Sequence, residues 1–172
     1  MRAAFVVVLA LGCSSKEPPK PPGRLQVSSP AFAAGAAIPA EYTCEGADRS
    51  PPLAWSGAPA ATQSYALVVD DRDAATKQTW VHWVVTGIPA TVTGAGAGTP
   101  PAGGAIGKND FGTTAWGGPC PPIGRHRYVF HVYALATRIA TAGITKRELV
   151  AAMQGHVLAE GELVGTYQKQ RP

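Results

Sequence analysis

Three apolar runs with the two-residue period of a β-strand, and no helical pattern between them, constrain this chain most. They span 64–69 (SYALVV), 80–86 (WVHWVVT) and 127–136 (RYVFHVYALA). Parallel neighbours need a crossover of a dozen or more residues, usually a helix, whereas antiparallel neighbours need only a turn. The acidic turn Asp70-Asp71-Arg72-Asp73 follows the first run, and Gly87-Ile88-Pro89 closes the second. The chain then enters a Gly/Ala/Thr/Pro loop over 91–104 with no packing face. The fold expected is mainly β and predominantly antiparallel. The 20 glycines and 16 prolines among 172 residues point the same way, and the length allows one domain with a full core and little room for a second.

One helix is marked late in the chain. Thr145 and Glu148 form a capping-box pattern, Ile144 and Leu149 occupy the staple positions, Val150 and Met153 extend the apolar stripe, and Gly155 ends it. Residues 24–27 read as the entry to the domain and 162–167 as a closing strand. For function the most informative stretch is 107–135, GKNDFGTTAWGGPCPPIGRHRYVFHVYAL, where a Gly/Pro-dense loop runs straight into a strand. Alternation puts His126, Tyr128, Phe130 and Val132 on one face, and Arg127, Val129, His131 and Tyr133 on the other. A rigid loop that feeds an imidazole and a phenol onto one strand face can build a small polar pocket. The Asp70/Asp71/Asp73 turn and His82 could converge on it, although spacing alone does not bring them together.

The first residues are read as a processing segment and kept out of the fold. The apolar run over 3–11 is far shorter than the roughly 18 residues a membrane span needs. It ends in Ala-Leu-Gly-Cys at 10–13, which resembles a bacterial lipobox, whose cysteine is diacylated. The expected organisation is a signal segment over 1–12, a Pro-rich tether over 13–23 beginning at the lipidated Cys13, and a domain over 24–172. That makes the chain an exported lipoprotein held to a membrane by its N-terminal lipid, on the periplasmic face of the outer membrane in a Gram-negative host. A periplasmic or secreted form is the alternative. Cys44 and Cys120 then remain, and whether they form a disulfide is left open by the residues. No paired CxxC or HxxxH spacing suggests a metal, and no cofactor motif is present. The net charge of +4 lies partly near the two ends, with no compact basic patch, so nucleic acid is not an expected partner.

Five motifs in order along 42–168 give the chain its likeness to a known family: YTCEGADRSPPLAWSGAPA, SYALVVDDRDAA, VHWVVTGIPA, NDFGTTAWGGPCPPIGRHRYVFHVYAL and GHVLAEGELVGTYQ. Together they resemble the phosphatidylethanolamine-binding protein family, in its bacterial Raf-kinase-inhibitor-like branch. The resemblance implies a large antiparallel sheet packed with a smaller one, and one or two helices toward the C-terminus. It also implies a small anion pocket. The acids of the family's DxDA motif fall on Asp71 and Asp73, the histidine of its HW motif on His82, and the HRY pair on His126 and Tyr128. The turn that shapes the rim falls on Gly117, Gly118 and Pro119.

Imidazole N–H groups, a phenol and exposed turn amides can donate to phosphate oxygens, while Asp71 can fix a histidine tautomer. His131 and His156 are not assigned to the pocket. The family's usual DPDAP stands here as Asp71-Arg72-Asp73-Ala74-Ala75, without either proline, and Trp116 stands where a tyrosine is common, altering the rim. The expected function is a non-enzymatic binding protein for a small phosphorylated or carboxylated ligand, with a protein partner and a homodimer left open. The alternatives are an inhibitor of a kinase or protease, which the family's naming suggests, and a hydrolase using His82 or His126 as base. The last lacks a nucleophile elbow and a metal set.

Overall fold

Alternation along the strands decides the layers. The computed structural model describes residues 22–76 and 78–170, so Cys13, the segment over 1–12 and most of the tether lie outside the described residues. The strands are β1 (Gly23–Arg24), β2 (Gln26–Ser28), β3 (Leu53–Ser56), β4 (Ser64–Asp71), β5 (Trp80–Pro89), β6 (Gly94–Ala95), β7 (Ala105–Ile106), β8 (Arg125–Leu135) and β9 (Val157–Gln168). A 3₁₀ turn covers Ala40–Tyr42, and the one α-helix of the described residues, α1, spans Lys146–Met153. The large sheet has the order β1-β9-β8-β4-β5-β7, and a small sheet has the order β2-β3-β6.

The inner face of the large sheet contributes Tyr65, Leu67, Val69, Trp83, Val85 and Phe130 to a core shared with Leu53 and Trp55 of the small sheet. Its outer face contributes Ala66, Val68, Val84 and Leu135, which meet Ile144, Leu149 and Met153 at α1. Strand β4 is covered on both faces and is buried along its whole length, which is why it reads as a nearly unbroken apolar run.

The expected mainly β architecture of a large, predominantly antiparallel sheet, a smaller sheet and a late helix is present, with one refinement and three corrections. The large sheet is mixed, because β1 runs parallel to β9, with Gly23 opposite Ala159. Short connections force antiparallel pairing only between successive strands, whereas β1 reaches β9 through the entire domain and needs no local crossover. Strand β5 continues through Gly87 to Pro89, where Ser64 still supplies a partner. Strand β9 starts at Val157, because β8 offers it a partner as far as Leu135. On α1, Leu149 and Met153 are buried but Val150 is 44 % exposed and joins no core. The capping box itself is present: the Glu148 amide donates to Thr145 Oγ1 at 3.3 Å, and the Thr145 amide donates to Glu148 Oε2 at 2.9 Å.

Two register shifts in the β4–β5 ladder set the direction of the polar side chains on β5. At the second, Val69 faces Trp83 but Asp70 faces Val81, so His82 is the extra residue of a bulge on β5. Trp83 joins the inner core and Val81 the outer one, and the bulge turns His82 inward beside Trp83. The outermost long strands are covered by irregular chain: the backbone of residues 25, 35 and 38 donates to β9, and the amides of Gly107, Asp110 and Gly117 donate to β5 carbonyls.

Candidate functional site

At the Asp71 end of β4, a cavity of about 320 Å³ opens between β5, β8 and the loops around 74–76 and 120–122. Its polar groups are Asp71, His82, His126 and Tyr128, with Thr76 at the margin, and Trp80, Phe111, Pro121 and Pro122 give it apolar walls. A larger groove of about 470 Å³ along 35–40 and 166–170 contains no histidine or carboxylate and shares no residue with it.

Asp71 Oδ2 accepts from His126 Nδ1 at 2.6 Å, and its Oδ1 accepts the Asp73 amide at 2.8 Å. Both side chains are largely buried, at 7 % and 12 % exposure, so the pair is shielded from solvent. His82 Nδ1 lies 2.5 Å from the Gly117 carbonyl, which can only accept, so this nitrogen carries the proton. Burial pushes the His82 pKa down, against the carbonyl contact and Asp71, which raise it. The His82 ring meets Phe111 and Tyr128 edge-on, with centroids 5.3 and 5.1 Å away. The Tyr128 hydroxyl is buried without a hydrogen bond of good geometry. Burial first, then the adjacent Asp71 charge, holds its pKa far above the ordinary phenol value, so it stays a neutral donor.

The remaining expected site residues stand apart from the cavity lining. Asp73 faces Arg127, whose backbone and side-chain nitrogens both donate to Oδ2 at 2.8 Å, and that guanidinium holds the Asp73 pKa down to about 2. The turn amides are already engaged: Gly117 donates to the His82 carbonyl at 3.1 Å, and Gly118 to Asp48 Oδ1 at 2.8 Å. They therefore shape the rim without offering free donors. A Cβ on Gly118 would come within 2.1 Å of that Asp48 oxygen, so only glycine allows the approach. Pro119 accepts the Cys44 amide at 3.2 Å. Arg72 turns outward to Glu162, 3.5 Å away. Trp116 stacks on Phe130 in the inner core at 6.2 Å and does not shape the rim. His131 lies on the opposite sheet face, 3.7 Å from Asp70.

Three contributors were missed by sequence reasoning. Phe111 and Trp80 form an edge-on pair at 5.4 Å in the cavity wall. Buried Asn109 supports them: Nδ2 donates to the Ala115 carbonyl at 2.9 Å, and Oδ1 accepts the Thr113 amide at 2.9 Å. The signal available was the Asn-Asp-Phe-Gly turn, since asparagine side chains commonly hold loops through local backbone bonds. Cys44 and Cys120 are joined in a disulfide with Cα atoms 5.5 Å apart, and Cys120 lines the cavity. Among the described residues, no group of three or more His, Cys, Asp or Glu side chains could hold a metal.

Known proteins show the same arrangement of sequence and fold. The family model for phosphatidylethanolamine-binding protein matches residues 28–168. The UPF0098 protein of Methanothermobacter thermautotrophicus is 46 % identical over 138 residues, covering 77 % of this chain and 91 % of the relative. The crystal structure of CT736 from Chlamydia trachomatis, described as a phosphatidylethanolamine-binding protein homologue, superimposes with a TM-score of 0.81 at 37 % identity, over 86 % of this chain and 99 % of that one. YbcL of E. coli, described as a member of the mammalian family of the same name, gives a TM-score of 0.79 at 34 % identity, over 86 % and 100 % of the two chains.

Proposed function

The chain belongs to the phosphatidylethanolamine-binding protein family, and on that premise we propose that it is a non-enzymatic binding protein whose cavity takes a small phosphate-type anion. The observation that carries the reading is the Asp71–His126 pair, with His82 and Tyr128, facing a cavity with apolar walls. Both histidines spend their Nδ1 protons inside the protein, His126 on Asp71 and His82 on Gly117, so in the neutral rings each Nε2 carries a lone pair. Of the four grouped polar side chains, the Tyr128 hydroxyl is then the donor. An anion consequently binds together with a proton. An imidazolium at His126 has the Asp71 carboxylate as its counter-charge, whereas burial works against charging His82. The ligand can instead bring the proton itself, as the hydrogen phosphate form of a monoester does.

Calorimetric titration tests this. Phosphoethanolamine should bind with net proton uptake, seen as a heat that depends on the buffer's ionisation enthalpy. Sulfate keeps its charge near neutrality, so its affinity isolates the protein's own groups and should fall as pH rises. Buffer-independent heats and a flat sulfate profile would contradict the reading. Turnover of a phosphomonoester that disappears in His126→Ala would overturn its non-enzymatic half.

The proposal extends to location: export and anchoring through a lipidated Cys13. The Cys44–Cys120 disulfide, which suits an oxidising compartment, supports it together with the lipobox-like residues. Two acyl chains on one cysteine would anchor the domain stably. Labelled palmitate should enter the full chain and not its Cys13→Ser variant; incorporation that persists in the variant contradicts the anchor.

A further inference from the structure

The disulfide and the cavity share a wall. Cys120 lines the cavity beside Pro121 and Pro122, and its partner Cys44 is 76 residues away, in the turn that follows Tyr42. The noncovalent ties between these regions grip the chain just before the cysteine: the Cys44 amide on the Pro119 carbonyl, and the Gly118 amide on Asp48. Beyond that point, 120–124 takes part in no hydrogen bond among the described residues until β8 begins at Arg125. The wall from Cys120 to Pro122 is thus held by packing and by one covalent bond. Both half-cystines are exposed, so an external thiolate can reach either sulfur. Exposed disulfides are the ones that exchange readily, whereas buried ones serve structure.

We propose that Cys44–Cys120 is a thiol–disulfide exchange site that gates the cavity, with a dithiol reductant as its co-substrate; the gating rests on the cavity being the binding site argued above. A thiolate of the reductant attacks one cysteine sulfur, the S–S bond breaks, and the displaced thiolate takes up a proton. The second thiol of the reductant resolves the mixed disulfide. Two electrons pass from the dithiol, leaving two cysteine thiols and an oxidised, cyclic reductant. The oxidised chain holds the Cys120–Pro122 wall against the ligand, and the reduced chain releases it.

Dithiothreitol serves as the probe reductant on the native full chain. Two thiols should appear while near-ultraviolet dichroism is retained, the ¹⁵N order parameters of Ile123 and Gly124 should fall, and phosphoethanolamine should bind on the order of tenfold more weakly, as expected for loss of a preorganised wall. The double variant Cys44→Ser/Cys120→Ser should match the reduced chain and ignore dithiothreitol. Thiols that appear only on unfolding, or order parameters unchanged by reduction, would overturn the exchange site. Equal affinity of the oxidised and reduced chains would overturn the gating. If the oxidised chain binds no phosphoethanolamine, the binding reading fails by itself, and the relaxation data still decide whether the disulfide holds the wall.

Discussion

Strand β4 ends in two successive aspartates that look toward opposite faces of the large sheet, and each has a histidine of β8 for company. On the inner face, Asp71 meets His126 at 2.6 Å beside a cavity. On the outer face, Asp70 stands 3.7 Å from His131, too far for a hydrogen bond, and its charge is met by Lys146 of α1 and by the Thr79 hydroxyl. Burial raises the Asp70 pKa, but His131 and Lys146 outweigh it and leave the group below its ordinary value. The residue types are nearly the same on the two sides. What separates the candidate site from a structural ion cluster is the presence of space and the choice of counter-ion. A lysine fills the outer side, while on the inner side Asp71 pairs, among the described residues, with a histidine, which is a cation only after it takes up a proton.

That contrast predicts a division of labour between stability and binding. The largest effect should come from Asp70→Ala, which strands Lys146 against the sheet. A loss of about 3 kcal/mol in urea denaturation is expected, the low end for breaking a buried pair because Lys146 is 29 % exposed. Phosphoethanolamine affinity should stay within about twofold; a variant that binds poorly but unfolds normally would reverse the two faces.

Next comes His126→Ala, which should weaken binding by about 1.5–3 kcal/mol in calorimetry, the range for hydrogen bonds to charged groups, and cost less stability than Asp70→Ala, because the adjoining cavity lets water reach the Asp71 carboxylate left behind. A smaller, pH-dependent effect belongs to His82. Its folded pKa is depressed by burial, so below about 6.5 the unfolded chain binds a proton that the folded chain refuses, and stability falls with pH. His82→Gln should flatten that slope relative to the wild type, and identical slopes would mean that His82 is not held neutral. The smallest change should be His131→Ala: binding within about twofold and less than about 1 kcal/mol of stability, since its ion contacts lie at 3.7 and 3.9 Å and are partly solvated.

Much of the fold was legible because its strands are long and apolar, and because the helix carries its own start signal at Thr145 and Glu148. The parallel pairing of β1 was not, since two residues carry no period. The convergence of Asp71, His82, His126 and Tyr128 could be expected only through family resemblance. His82 shows why: it faces inward only because a bulge breaks the alternation between Val81 and Trp83, and a bulge depends on the partner strand. The turn of Gly117 and Gly118 reads as a row of free amides in one dimension, yet the His82 carbonyl and Asp48 take both. Phe111 and Asn109 went unnoticed because a loop residue gains a role only from what it lands on.

The covering of the outermost long strands bears on how copies of this chain can associate. A twelve-residue strand such as β9, if its outer side were bare, would offer a ready template for the backbone of a second chain. Here the segments around 23–25 and 35–38 occupy that side, and the amides of Gly107, Asp110 and Gly117 occupy the free side of β5. None of these segments is itself a long strand, so each blocks the template without creating another. Association by adding strand to strand is therefore disfavoured, both as a route to aggregation and as a route to a dimer. A homodimer, if the chain forms one, is not expected to pair β9 or β5 with the same strand of its copy.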